Sequence, residues 1–118
     1  MRALTLLLLG ALGFGANAGE IDQAAALKLL QQPETVLIDV RTADEFAEGA
    51  LPGAVRIETP DLARHIGSLA PAKDTPIVVY CRSGRRSSAA QDVLEGLGYS
   101  RVVDAGAYET LAPAFSPD

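Results

Sequence analysis

Two short runs dominate the hydrophobic pattern of this chain, Thr35-Val36-Leu37-Ile38-Asp39-Val40 and Pro76-Ile77-Val78-Val79-Tyr80. Neither alternates with polar positions, so each reads as a strand covered on both faces. Between and around them the pattern turns helical. Asp22 followed by strong helix formers predicts an N-capped helix over 23–32, stopped by Pro33. Asp44-Glu45-Phe46-Ala47-Glu48, closed by Gly49, predicts a short helix, and Leu51-Pro52-Gly53 a turn into a strand over 54–58. A helix is expected from Asp61 to about Leu69, then a connection through Pro71-Ala72-Lys73-Asp74. After the second apolar strand come a polar loop over 82–86, a helix over 87–97 that stops at Gly98, a short strand over 101–104 and a helical turn over 107–111. Strands alternating with helices predict an α/β fold built on a parallel sheet, in which a ligand site lies beyond the carboxyl ends of the strands. Cys81 stands at one of those ends.

The first residues follow a different rule. Met1-Arg2, an apolar run over 3–12 and small residues ending Ala16-Asn17-Ala18 have the layout of a secretory signal peptide with an A-x-A cleavage site. Gly13, Gly15 and Asn17 interrupt the run short of the roughly 20 apolar residues that a membrane span needs. The expectation is therefore an exported protein, periplasmic in a cell with two membranes, whose segment 1–18 is removed. No membrane attachment is expected after cleavage, and 19–118 forms a single domain of a size that one hydrophobic core can hold. Without Arg2 that domain carries nine Lys and Arg against 15 Asp and Glu, a net charge of −6. Such a surface repels nucleic acid.

An exported protein normally uses cysteines in pairs, and this one has a single cysteine. Cys81 is then either a small buried hydrophobe or a thiol kept for its reactivity. Its neighbours favour reactivity. A strand end fixes the sulfur, Gly84 lets the backbone curl, and a helix starts directly afterwards, so unpaired amides can converge on one anionic centre. Arg82, Arg85 and Arg86 place three of the nine basic residues within five positions of Cys81 in an otherwise acidic domain. Both effects are expected to favour thiolate over thiol and to lower the Cys81 pKa.

Loop length separates the chemistries open to such a thiolate. A cysteine-based phosphatase or arsenate reductase needs a loop wide enough for a tetrahedral oxyanion, closed by an arginine where this chain has Ser87; Arg86 comes one residue too soon. A tighter ring of amides suits the terminal sulfur of a persulfide. His65, the single histidine, belongs to the helix that begins at Asp61, where exposure is its ordinary explanation, so no Cys-His dyad is expected. Sulfur transfer tolerates this: when a thiolate attacks the outer sulfur of thiosulfate, sulfite leaves as a stable anion without needing a proton, and preorganised charge does most of the work.

The run Cys81-Arg82-Ser83-Gly84-Arg85-Arg86-Ser87 resembles the active-site loop of the rhodanese-like domains. The resemblance continues, in family order, through Leu37-Ile38-Asp39-Val40-Arg41, Glu45-Phe46 with Gly49, Leu51-Pro52-Gly53-Ala54, Gly98-Tyr99 and Asp104-Ala105-Gly106. Within the family, size and the single module are most similar to the periplasmic thiosulfate sulfurtransferases of the phage shock protein E type. The resemblance implies a central parallel sheet flanked by helices and turnover through a Cys81 persulfide. It also implies amides of residues Arg82, Ser83, Gly84, Arg85, Arg86 and Ser87 around the sulfur, with arginine side chains holding the donor anion. The implied partners are thiosulfate as donor and cyanide or a thiol as acceptor, served by a monomer. A module that carries sulfur or docks on a partner without turnover is the alternative within the family. The chain departs from the pattern at Ala50, where many relatives have histidine, and at Ala107, where many have a second glycine before the bulky residue that is Tyr108 here.

Asp39 and Arg41 are read as structural support rather than substrate contacts, pairing with loop backbone or with Glu45, because charges at the end of a buried strand are normally satisfied in pairs. Tyr80 and Phe46 are read as core or pocket wall. No metal and no organic cofactor is implied, since one histidine and one cysteine cannot build a nitrogen and sulfur zinc site.

Overall fold

The computed structural model describes residues 20–115. The predicted signal segment lies outside the described residues. In chain order the elements are α1 (Gln23–Leu29), β1 (Val36–Asp39), α2 (Ala43–Glu48), β2 (Val55–Arg56), a 3-10 turn Thr59–Asp61 leading into α3 (Leu62–Leu69), β3 (Ile77–Cys81), α4 (Arg85–Gly96), β4 (Val102–Ala107) and α5 (Tyr108–Leu111), followed by a 3-10 turn Ala112–Phe115. The four strands form one parallel sheet in the order β2-β1-β3-β4. This is the α/β architecture that the alternation of patterns predicts. Among the described residues no helix is long and apolar enough to cross a membrane.

Strand β3 is the axis of the fold, and every one of its five residues is buried. Side chains alternate faces along a strand. Ile77, Val79 and Cys81 therefore join one core layer with Ile38, Val40, Leu62, Ile66, Ala90 and Leu94, which places the cysteine on the α3 and α4 side. Val78 and Tyr80 join the opposite layer with Ala26, Leu37, Leu51, Ala105 and Leu111, under α1 and α5. The continuous apolar character of the two central strands follows from this double cover.

Boundaries differ from the pattern for local reasons. Helix α1 ends at Leu29 rather than at 32, because the amides of Gln31 and Gln32 turn to the carbonyls three residues back, Lys28 and Leu29. Asp22 caps its start, the carboxylate accepting from the Ala25 amide at 3.0 Å. Strand β2 is two residues long, against the five expected. Helix α4 begins at Arg85, so Arg85 and Arg86 lie in its first turn and the loop after Cys81 is shorter than the sequence suggests. Strand β4 runs on to Ala107, past the expected end at 104.

That extension passes through a bulge. Val79 pairs with Asp104 but Tyr80 pairs with Gly106, leaving Ala105 as the extra residue. The Asp104 carboxylate accepts from the Gly106 amide at 2.9 Å and so replaces the partner that the bulge removes. Gly106 is left-handed, with φ 84°, and a Cβ there would stand 2.8 Å from Ile21 Cγ2, so only glycine fits. The bulge sets Ala107 beside Cys81 in register.

At the carboxyl end of β1 the buried Asp39 and Arg41 pair with each other. Nε of Arg41 reaches Oδ1 at 3.0 Å and Nη2 reaches Oδ2 at 2.7 Å, while the Arg41 amide donates to Oδ1 at 2.8 Å. Nη2 also donates to the Gly49 carbonyl at 2.7 Å, and the guanidinium lies over the Tyr108 ring at 4.4 Å. Of the two expected pairings, that with loop backbone is made, to the Gly49 carbonyl, and that with Glu45 is not: a two-residue spacing already brings Asp39 and Arg41 face to face, and Glu45 is drawn to Arg86. Removing one member of such a pair strands a buried charge. Arg41→Ala is expected to lower the unfolding free energy by about 3–5 kcal/mol in urea denaturation, and the double variant with Asp39→Ala to lose less than the sum of the two single losses.

Candidate active site

Cys81 ends β3 with its side chain on the α4 face, and the residue is 0% exposed. The chain then turns through Arg82 and Ser83 to Gly84, whose φ of 99° is left-handed and which stands as the N-cap of α4. A Cβ on Gly84 would meet Ile21 Cδ1 at 2.8 Å, so both the backbone angle and the packing against α1's leading residue require glycine. The turn aims two amides at the sulfur: Gly84 N–H donates to Sγ at 2.8 Å and Ser87 N–H at 3.3 Å. The Ser87 hydroxyl lies 3.4 Å from Sγ, accepts the thiol proton, and passes its own hydrogen to the Gly84 carbonyl at 3.1 Å. Two converging amides at a helix start stabilise negative charge on the atom they face.

The expected ring of amides over 82–87 thus contracts to Gly84 and Ser87. Ser87 is buried beneath the sulfur, whereas Ser83 is exposed. The three arginines take three separate directions. Arg86 grips Glu45 with two hydrogen bonds, Nη1 to Oε1 at 2.9 Å and Nη2 to Oε2 at 3.1 Å. Arg82 is 73% exposed and its Nη1 stands 3.8 Å from the same carboxylate. Arg85 is exposed and lines a separate recess together with Ile21, Ser88 and Asp92. A recess beside the loop is lined by Arg41, Glu45, Glu48, Arg82, Tyr108 and Glu109.

The Arg86 hydrogen bonds, reinforced by the Thr42 amide at 2.9 Å, hold the Glu45 carboxyl at about 2, well below its ordinary 4.5. Glu45 also closes a capping box on α2, its amide receiving support from Thr42 Oγ1 at 3.3 Å. Arg86 is pushed up in turn, first by the Glu45 hydrogen bonds and then by the charge of the same carboxylate. Asp104 is fully buried, and burial pushes its carboxyl up against the opposing pull of the Gly106 amide. Its Oδ2 and the Oε1 of Gln91 are the buried side-chain oxygens without a partner among the described residues.

Tyr80 and Tyr108 form the wall under Arg41, stacked with ring centroids 6.1 Å apart, and Tyr80 Oη accepts from the Leu51 amide at 3.0 Å. Burial, first of all, raises the Tyr80 phenol, so it stays protonated. Phe46 is half-buried. His65 is exposed on α3 and lines a different recess with Arg56, Glu58 and Asp61, so it brings no general base to the sulfur. Sequence reasoning did not identify Glu45 as the partner of Arg86 and Arg82, nor Asp104 as the support of the bulge. Glu45 lies 41 positions from Arg86, and no local spacing signals that contact.

Because the Glu45 carboxyl is depressed, its contribution to stability is full above about 4.5, its unfolded value, and is lost as pH falls toward about 2. The difference in unfolding free energy between the native protein and Glu45→Gln, measured by denaturant titration, is expected to stay constant from neutrality down to about pH 5 and to shrink steadily below it.

Comparison with known proteins follows the same outline. The profile described as "Rhodanese-like domain" matches residues 22–109. A mitochondrial protein of Schizosaccharomyces pombe is 39% identical over 79 residues, covering 58% of this chain and 56% of that protein, so the match spans little more than half of that relative. The thiosulfate sulfurtransferase PspE of Escherichia coli is 32% identical over 75 residues, covering 64% of this chain and 72% of the relative. Among solved structures, a rhodanese with anions from E. coli superposes with a TM-score of 0.64 at 31% identity, covering 66% of this chain and 92% of that one. The family profile spans most of the chain and the fold superposes on a solved rhodanese, so the chain belongs to the rhodanese-like domain family, in which several of its relatives are named sulfurtransferases.

Proposed function

We propose that this protein is a thiosulfate sulfurtransferase that carries sulfane sulfur as a persulfide on Cys81. The observation that carries the reading is the convergence of the Gly84 and Ser87 amides on Sγ at 2.8 and 3.3 Å. In the first half-reaction the Cys81 thiolate attacks the outer sulfur of thiosulfate. An S–S bond forms to Sγ, the S–S bond of thiosulfate breaks with its electron pair going to the departing group, and sulfite leaves as a dianion. The persulfide retains one negative charge on its terminal sulfur, where preorganised donors stabilise it. In the second half-reaction cyanide or a thiolate attacks that terminal sulfur, thiocyanate or a new persulfide leaves, and the Cys81 thiolate is restored. No proton is needed by either leaving group, in keeping with a site without histidine.

In this reading Arg82 and Arg86 hold the donor anion, Arg85 adds long-range positive charge, and Ser83, Gly84 and Ser87 shape the cradle. Asp39 and Arg41 hold the floor of the recess. Because Cys81 is fully covered, atoms around the loop must move for a donor to reach Sγ. The protein acts as an exported monomer after loss of 1–18. The narrow turn supports sulfur transfer over phosphate hydrolysis, because α4 begins at Arg85 and the position that would close a phosphate loop holds the buried Ser87.

Incubation with thiosulfate followed by intact mass measurement is expected to show a gain of one sulfur, reversed by cyanide and absent in Cys81→Ser; absence of that gain in the native protein, with aryl phosphate hydrolysed instead, would overturn the reading. Gly84→Ala forces a side chain into a left-handed position against Ile21 and is expected to cost about 1–3 kcal/mol of stability. Because it displaces the amides, it is also expected to slow sulfur uptake on the order of a hundredfold, as read by the rate of sulfite release.

A further inference from the structure

Glu45 engages the two arginines that the sulfur-transfer reading assigns to the donor's negative charge. Its carboxylate makes both hydrogen bonds that Arg86 offers on that side, at 2.9 and 3.1 Å, and stands 3.8 Å from Arg82. Its side chain is 19% exposed, so solvent screens it weakly. The rest of the recess does not compensate. Glu48 and Glu109 add two more carboxylates, and the guanidinium of Arg41 is committed to Asp39 and to the Gly49 carbonyl. Of the arginines that make the loop basic in sequence, Arg86 is therefore neutralised, and Arg82 partly offset, by a residue brought in from α2.

We propose that Glu45 is a specificity-determining residue: an internal carboxylate that competes with anionic reactants for Arg86 and Arg82 and so discriminates among them by charge. A reactant approaching Cys81 must share or displace this carboxylate, and the penalty grows with each negative charge it carries. Thiosulfate, a dianion, is held back most, a monoanionic thiosulfonate less, and a neutral reagent least. The inference takes its donor chemistry from the sulfur-transfer reading above, but the charge discrimination stands on the ion pairs alone. In the thiosulfonate case the thiolate attacks the terminal sulfur, the S–S bond breaks, and a sulfinate leaves with the electron pair, so charge and atoms balance as they do for thiosulfate.

Iodoacetamide and iodoacetate test this without any sulfur transfer, because both alkylate the Cys81 thiolate by displacing iodide, are of similar size, and differ by one charge. In the native protein the ratio of iodoacetate to iodoacetamide rates is expected to be low, and Glu45→Gln to raise it about fivefold or more at low ionic strength, with the gain shrinking in high salt. Glutamine can still cap α2, so the helix is retained. Thr42→Ala, which weakens the same cap but keeps the charge, is expected to leave the ratio within about twofold. A ratio unmoved by Glu45→Gln, or moved equally by Thr42→Ala, overturns the proposal. In the sulfur arm, Glu45→Gln is expected to raise kcat/KM for thiosulfate roughly tenfold and for methanethiosulfonate by less; equal change for the two donors also counts against it. If the alkylation ratio shifts while neither donor loads sulfur, the charge gate stands and the sulfurtransferase reading fails.

Discussion

A sulfur atom held between a strand end and a helix start is the constraint around which this molecule is arranged. For the amides of Gly84 and Ser87 to face Sγ, the backbone must leave β3 and enter α4 within three residues, and a left-handed glycine permits that turn. The turn in turn needs something to pack against. Ile21 fills the space between Gly84 and Gly106, and either glycine replaced by a larger residue would collide with it. The bulge in β4, with Asp104 taking over the Gly106 amide, brings that second glycine into place. Three distant segments thus converge to fix one short loop.

Charge is organised in two layers. Beneath the recess, Asp39 and Arg41 neutralise each other out of water and tie β1 to the Gly49 carbonyl, which makes them part of the frame rather than of the reaction. Above it, Arg86 and Arg82 share Glu45 near the surface. The acidic balance of the whole chain and the basic stretch after Cys81 are reconciled at this point. The arginines are concentrated by the sequence and moderated by the fold.

Element types were readable because β1 and β3 are continuously apolar, a pattern produced by burial on both faces, and because Asp22 and Gly49 punctuate helices by local chemistry. Element ends were less so. The end of α1 was decided by backbone hydrogen bonds three residues apart, and the start of α4 by the left-handed Gly84, which allowed Arg85 and Arg86 into the helix although they read as loop. The extension of β4 depended on a bulge that hydrophobic patterning does not register.

For the site, residue order alone sufficed to single out Cys81, its glycine turn and the neighbouring helix, since all of these act over a few positions and obey local backbone rules. It sufficed equally for the parallel α/β class, because alternating strand and helix patterns leave few topologies. The partners of the charges were settled in three dimensions only. Arg41 turned to Asp39, two positions away, and Arg86 to Glu45, 41 positions away, although both are the same residue type. Long flexible side chains reach whatever the packing of strands and helices sets within a few ångströms, and that depends on contacts between segments far apart in the chain.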